Sequence, residues 1–144
     1  MVQEADVAEE AEVVEQVAEN AVGKWEINVT QSAEGKEIYT FELIANNGQL
    51  LLSSEEYTSY VGVINGINTH KANIQKGNFS IQTTKKKVKN KKPEYFYLLL
   101  NANNQPLCLG EHYKTKASCE RAIESVKRFA ANSPTYMGGK VVTD

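Results

Sequence analysis

The sequence predicts an α+β fold: two tandem β-β-β-α pseudo-repeats forming one antiparallel sheet, with two helices on one face. Three observations predict it. Short runs alternate apolar and polar residues, the period of a half-buried strand. Two longer stretches place apolar residues three to four apart, the period of a helix. The order of these runs then recurs, with matching residues from Tyr39 and Tyr95 onward at a constant offset of 56.

The elements follow in order. Trp25, Ile27 and Val29 alternate with Glu26 and Asn28, which predicts a first strand. A polar loop leads to a second, in which Tyr39, Phe41 and Leu43 alternate with polar neighbours. Asn46-Asn47-Gly48 is a turn, because Asn and Gly tolerate positive φ. Leu50 to Leu52 form a third strand. Over residues 58–75 the period changes to helical, with Val63, Ile67, His70 and Ile74 on one stripe and Thr58 or Ser59 as N-cap.

The series then repeats. Gly77, Phe79, Ile81 and Thr83 echo Gly23, Trp25, Ile27 and Val29. Tyr95, Tyr97 and Leu99 echo Tyr39, Phe41 and Leu43, and Asn103-Asn104-Gln105 echoes Asn47-Gly48-Gln49. Leu107, Glu111, Tyr113, Ile123 and Lys127 match Leu51, Glu55, Tyr57, Ile67 and Lys71. A second helix, about 115–131, puts Cys119, Ala122, Ile123, Val126 and Phe129 on one face, and Ser133-Pro134 stops it. Two copies are too few for a solenoid. The economical solution is one shared sheet backed by both helices. Tyr136 to Val142 reads as a seventh strand, weakened by Gly138-Gly139.

Composition narrows the class. The 144 residues are 41% hydrophobic and 8% aromatic, ordinary globular material. Of 18 acidic residues, seven lie within 1–23 (Glu4, Asp6, Glu9, Glu10, Glu12, Glu15 and Glu19), a stretch without Lys or Arg. That leaves eleven against all 16 basic residues, so the body carries a formal +5 and the tail is acidic. Residues 1–22 therefore read as an acidic tail, disordered or a frayed helix, because an Ala/Val stripe buries little and like charges repel. A second reading makes the tail an amphipathic partner helix, or a mask over a basic site. Residues 23–144 read as one domain: repeat 1 over 23–76, repeat 2 over 77–134, then the C-terminal strand over 135–144. Two cysteines, Cys108 and Cys119, make no disulfide framework. The start of the chain lacks the basic and apolar pattern of a secretory leader, and no run approaches the ~20 apolar residues of a membrane span. A soluble cytoplasmic protein without membrane contact is the expectation.

The recurring pieces resemble the YegP-like family of small bacterial domains of unknown function. They are Asn46-Asn47-Gly48-Gln49, Ser54-Glu55-Glu56-Tyr57 and Gly66-Ile67 in the first unit. In the second they are Asn103-Asn104-Gln105, Glu111-His112-Tyr113-Lys114, and Lys116 to Glu120 running to Ile123-Glu124-Ser125-Val126-Lys127. The resemblance covers roughly 23–134. It implies two repeats paired into one continuous sheet that exchange the strand after each helix, which would dock Tyr136–Val142 on the edge of the first unit. It implies no catalytic residues. The chain departs from the pattern in its Asn- and Val-rich first helix and its long basic loop at 84–94.

That loop is the sharpest local feature. Lys85, Lys86, Lys87, Lys89, Lys91 and Lys92 are six lysines in eight residues, between two strands of the second unit. Hairpin loops usually run two to five residues. Such a cluster can neutralise several phosphates, so it is the candidate anion-binding site, with nearby Tyr95, Tyr97 and Phe79 able to stack on unpaired bases. Its bland reading is a solvated loop that blocks edge-to-edge pairing. Cys108, His112 and Cys119 fall short of a zinc site, lacking a fourth ligand, and Cys119 reads as a core residue. His70 and Trp25 read as core. Glu55 and Glu111 read as helix N-terminal caps rather than an acid–base pair. No nucleophile, base and stabiliser come together, so no enzyme, cofactor or metal is expected. Tyr39, Tyr95 and Tyr97 or Phe96 are expected on an open sheet face. Two functions stand: a non-enzymatic module contacting RNA or a ribonucleoprotein through 85–92, or a protein-interaction module, including a homodimer, using strand exchange or the open face.

Overall fold

The computed structural model describes residues 22–84 and 92–142. The acidic segment 1–21, residues 85–91 and the last two residues lie outside the described residues. The fold is mixed α+β, with eight strands and two helices among the described residues. The strands are β1 (Lys24–Gln31), β2 (Glu37–Ile44), β3 (Leu50–Ser53), β4 (Phe79–Thr83), β5 (Tyr95–Leu100), β6 (Pro106–Leu109), β7 (Thr135–Met137) and β8 (Lys140–Val141). Helix α1 (Tyr60–Lys76) follows β3, and α2 (Lys116–Asn132) follows β6.

The offset of 56 recurs in the backbone. Ser59 and Thr115 are the N-caps, each accepting from the backbone N–H three residues on. A β-bulge interrupts β2–β3 at Leu43/Ile44 and β5–β6 at Leu99/Leu100. Isolated bridges join Tyr39 to Tyr57 and Tyr95 to Tyr113. Asn104 holds positive φ, at 63°, where Gly48 sits in the first unit at 88°. Asn accepts that left-handed conformation because its amide bonds locally.

The strands form two sheets rather than the expected one. Their orders are β3-β2-β1-β7-β8 and β4-β5-β6. Strands β3 and β6 approach each other at the seam, but side chains bridge it. The Tyr97 hydroxyl donates to the Leu51 carbonyl at 2.8 Å, so a ring from one sheet satisfies a β3 backbone acceptor of the other. The larger sheet is not purely antiparallel either. After α2 the chain returns alongside β1 in the same direction, pairing Trp25 with Thr135 and Ile27 with Met137. The last segment does dock on the edge of the first unit, as a hairpin rather than one strand. Gly138 and Gly139 both take positive φ and turn β7 into β8.

One core serves both units. Trp25, Ile27, Phe41, Leu43, Tyr97 and Leu99 face inward from the sheets, against Val63, Ile67, Ile74, Ile123, Val126 and Phe129 of the helices. Each helix touches strands of both sheets, so neither unit closes its core alone. The Trp25 indole N–H donates to the Ala130 carbonyl at 3.2 Å, tying β1 to the end of α2.

Candidate functional site

Of the six predicted anion-site lysines, Lys92 is described and exposed; Lys85, Lys86, Lys87, Lys89 and Lys91 lie outside the described residues. The residues on either side of the run are paired with each other. Strands β4 and β5 pair from Phe79↔Leu99 to Thr83↔Tyr95. One step further, the Thr84 N–H donates to the Glu94 carbonyl at 2.9 Å, and the Glu94 N–H donates to the Thr84 hydroxyl at 2.9 Å. Beside this clasp, His112 Nδ1 lies 3.3 Å from Glu94 Oε1 and its ring 5.2 Å from that of Phe96. Both members of the His112–Glu94 pair are about half exposed, so the pair contributes little to stability.

A second basic feature has no motif. Between the C-terminal ends of the two helices lies a groove of about 590 Å³. Lys71, Lys76 and Lys127 line it, with Ile74, Gln75, Gly77, Ala130 and Ala131. Lys71 Nζ stands 5.7 Å from the centre of the Trp25 ring. Lys127 Nζ stands 6.0 Å from the Phe79 ring and 3.3 Å from Glu124 Oε2. The sequence showed Lys71 and Lys127 only as a matched pair at the offset of 56. Nothing in one dimension says that both helices end at the same place.

The remaining candidates resolve into structure. Cys108 and Cys119 are buried free thiols, at the offset of 56 from core residues Leu52 and Val63. Burial pushes the Cys108 thiol up to about 12, and burial followed by Glu120 raises Cys119. Neither is a thiolate at neutral pH. Among the described residues, no three of His, Cys, Asp and Glu gather where a metal could sit.

His70 is buried on α1, with Nδ1 2.8 Å from the Gly66 carbonyl. Its Nε2 has no hydrogen-bond partner among the described residues. Burial lowers its pKa below the ordinary imidazole value; the Gly66 carbonyl, Glu55 and the Leu107 carbonyl pull weakly the other way.

Two expectations are corrected. Glu55 and Glu111 do not cap the helices; Ser59 and Thr115 do. The Tyr39–Tyr57 and Tyr95–Tyr113 backbone bonds hold the preceding segments to the sheets, so each helix begins beyond its Glu. Nor do the tyrosines colour an open face. Tyr97 is fully buried, and Tyr39 and Tyr95 share its inward parity. Only Phe96 alternates outward, with Leu98, paired to Leu109, on the same face of β5 and β6.

The fold and these surfaces define a small α+β domain in which three strands and a helix occur twice. The chain belongs to the YegP-like family of domains of unknown function, DUF1508, whose model matches it twice, over residues 36–78 and 90–136. It is 30% identical over 118 residues to a UPF0339 protein of Mannheimia succiniciproducens, covering 78% of this chain and 92% of that one. It is 32% identical over 109 residues to the UPF0339 protein YegP of Yersinia pestis, covering 75% and 88%. The solution NMR structure of YegP from E. coli, a protein of unknown function, superposes with a TM-score of 0.63 at 26% identity, covering 81% and 93%.

Proposed function

We propose that the chain is a non-enzymatic binding module that contacts a polyanion, RNA or a ribonucleoprotein, through Lys85, Lys86, Lys87, Lys89, Lys91 and Lys92. One observation carries the reading: Thr84 and Glu94, which flank the lysine run in the sequence, are clasped together at the end of a strand pair. Six charges on so short a tether act together on neighbouring phosphates. Lysine suits this contact, being a point charge without base-reading geometry. With a slope of about −0.7 per single-strand phosphate, six contacts weaken binding about 300-fold between roughly 50 and 200 mM salt.

The test is retention of the full chain on an RNA or heparin column across a salt gradient, beside a variant with all six lysines changed to Ser. Late elution that the variant loses supports the reading. Equal retention of both removes it.

A second reading, protein interaction, draws on the outward face of β5 and β6, where Leu109 is 63% exposed. Mass that rises with concentration at high salt would favour it, since salt screens the lysines and leaves apolar contact intact.

A further inference from the structure

We infer that the groove between the helix ends is the docking site, in cis, of this chain's own acidic segment, residues 1–21. The inference stands whether or not the lysine run binds a polyanion.

Charge complementarity is the first argument. Lys71, Lys76 and Lys127 converge on one groove, and of these three only Lys127 has a carboxylate partner among the described residues, the exposed Glu124. The last carbonyls of both helices put partial negative charge nearby. Part of it is already answered: the Gly77 and Asn78 N–H groups take the Asn73 and Ile74 carbonyls, and the Ser133 N–H takes that of Phe129. The lysines are left to set the sign of the groove. Residues 1–21 hold all seven acids of the N-terminal stretch and no Lys or Arg, interleaved with Val and Ala. That composition offers carboxylates to the lysines and small apolar side chains to the apolar part of the lining, Ile74, Ala130 and Ala131.

The second argument is where the described chain begins. The Gly23 N–H donates to the buried Ser133 hydroxyl at 2.8 Å, just past the end of α2. The Trp25 N–H donates to the Pro134 carbonyl at 2.8 Å, and the Trp25 ring touches both Ala130 and Lys71, two residues of the groove. The acidic segment is therefore tethered beside the basic groove. A short tether raises the local concentration to about the millimolar range, so even a weak contact is occupied.

The test uses the full chain, nitrogen-15-labelled, with Ala11→Cys carrying a nitroxide. Cys108 and Cys119 are buried, and mass spectrometry checks that they stay unlabelled. The expected result is selective loss of amide intensity at Lys71, Ile74, Lys76, Lys127 and Ala131. High salt should restore it, as should Lys71→Glu, Lys76→Glu and Lys127→Glu together. If that triple variant fails to fold, salt reversal on the parent chain decides. An equimolar mixture of spin-labelled unenriched chain and enriched unlabelled chain should leave the groove amides intact. Three results would overturn the inference: no selective loss, loss centred on Thr84, Lys92 and Glu94, or loss that persists in the mixture.

Discussion

Tyr97→Phe removes one oxygen from the seam between the sheets. The ring itself should keep its place, since Phe41 occupies the matching position 56 residues earlier. What disappears is the 2.8 Å bond to the Leu51 carbonyl. Tyr97 is 0% exposed and Leu51 2%, so water does not replace the donor. A buried acceptor left unpaired costs about 1–3 kcal/mol, and we expect a loss of about 2 kcal/mol. With a urea m-value of about 2 kcal/mol/M, the midpoint should fall by about 1 M. Trp25 is the single tryptophan and is fully buried, so its fluorescence reports the transition. The m-value should not change, because the same surface is exposed on unfolding. A midpoint within about 0.2 M of the parent would refute the reasoning that this bond closes the seam.

Three other outcomes are expected. A Cβ at Gly110 would overlap the fully buried Tyr97 ring, and one at Gly66 the partly exposed Tyr57 ring. Gly110→Ala should therefore cost about 1–3 kcal/mol by denaturant titration, and Gly66→Ala less, because Tyr57 can shift and Ala favours a helix. His70 has a lowered pKa in the folded protein, so the unfolded chain binds the proton more tightly. Its contribution is fully present above about pH 6.5 and is lost as pH falls below that value; His70→Leu should flatten this part of a stability–pH curve. Cys108 and Cys119 should react with an exposed-thiol reagent at pH 8 only as fast as the protein opens; an immediate burst from the native chain would contradict their burial.

Much of the fold was legible in one dimension, because period and parity are local properties. The stripe Val63, Ile67, His70 and Ile74 is buried as its spacing requires, and so is Cys119, Ala122, Ile123, Val126 and Phe129. The same parity argument, carried to its end, would have put Tyr97 inside with Phe41 and Leu99. Ser59, offered with Thr58 as the first N-cap, does cap α1, but the role given to the acids needed more than composition. Glu55 and Glu111 are acids before helices, but Tyr57 and Tyr113 stay bonded to the sheets and delay the first turn.

The sequence by itself determined the elements, their order and the family, because a strand or helix is written in residues that are neighbours along the chain. The lysine run is legible for the same reason. Tertiary structure alone decided three things. It split the strands into two sheets, since a Tyr97 hydroxyl 46 residues away takes the Leu51 carbonyl. It laid β7 parallel to β1, since α2 returns the chain to the end where β1 begins. And it gathered Lys71, Lys76 and Lys127 around one groove beside Gly23, since charges far apart in the chain meet only when both helices pack on a shared core.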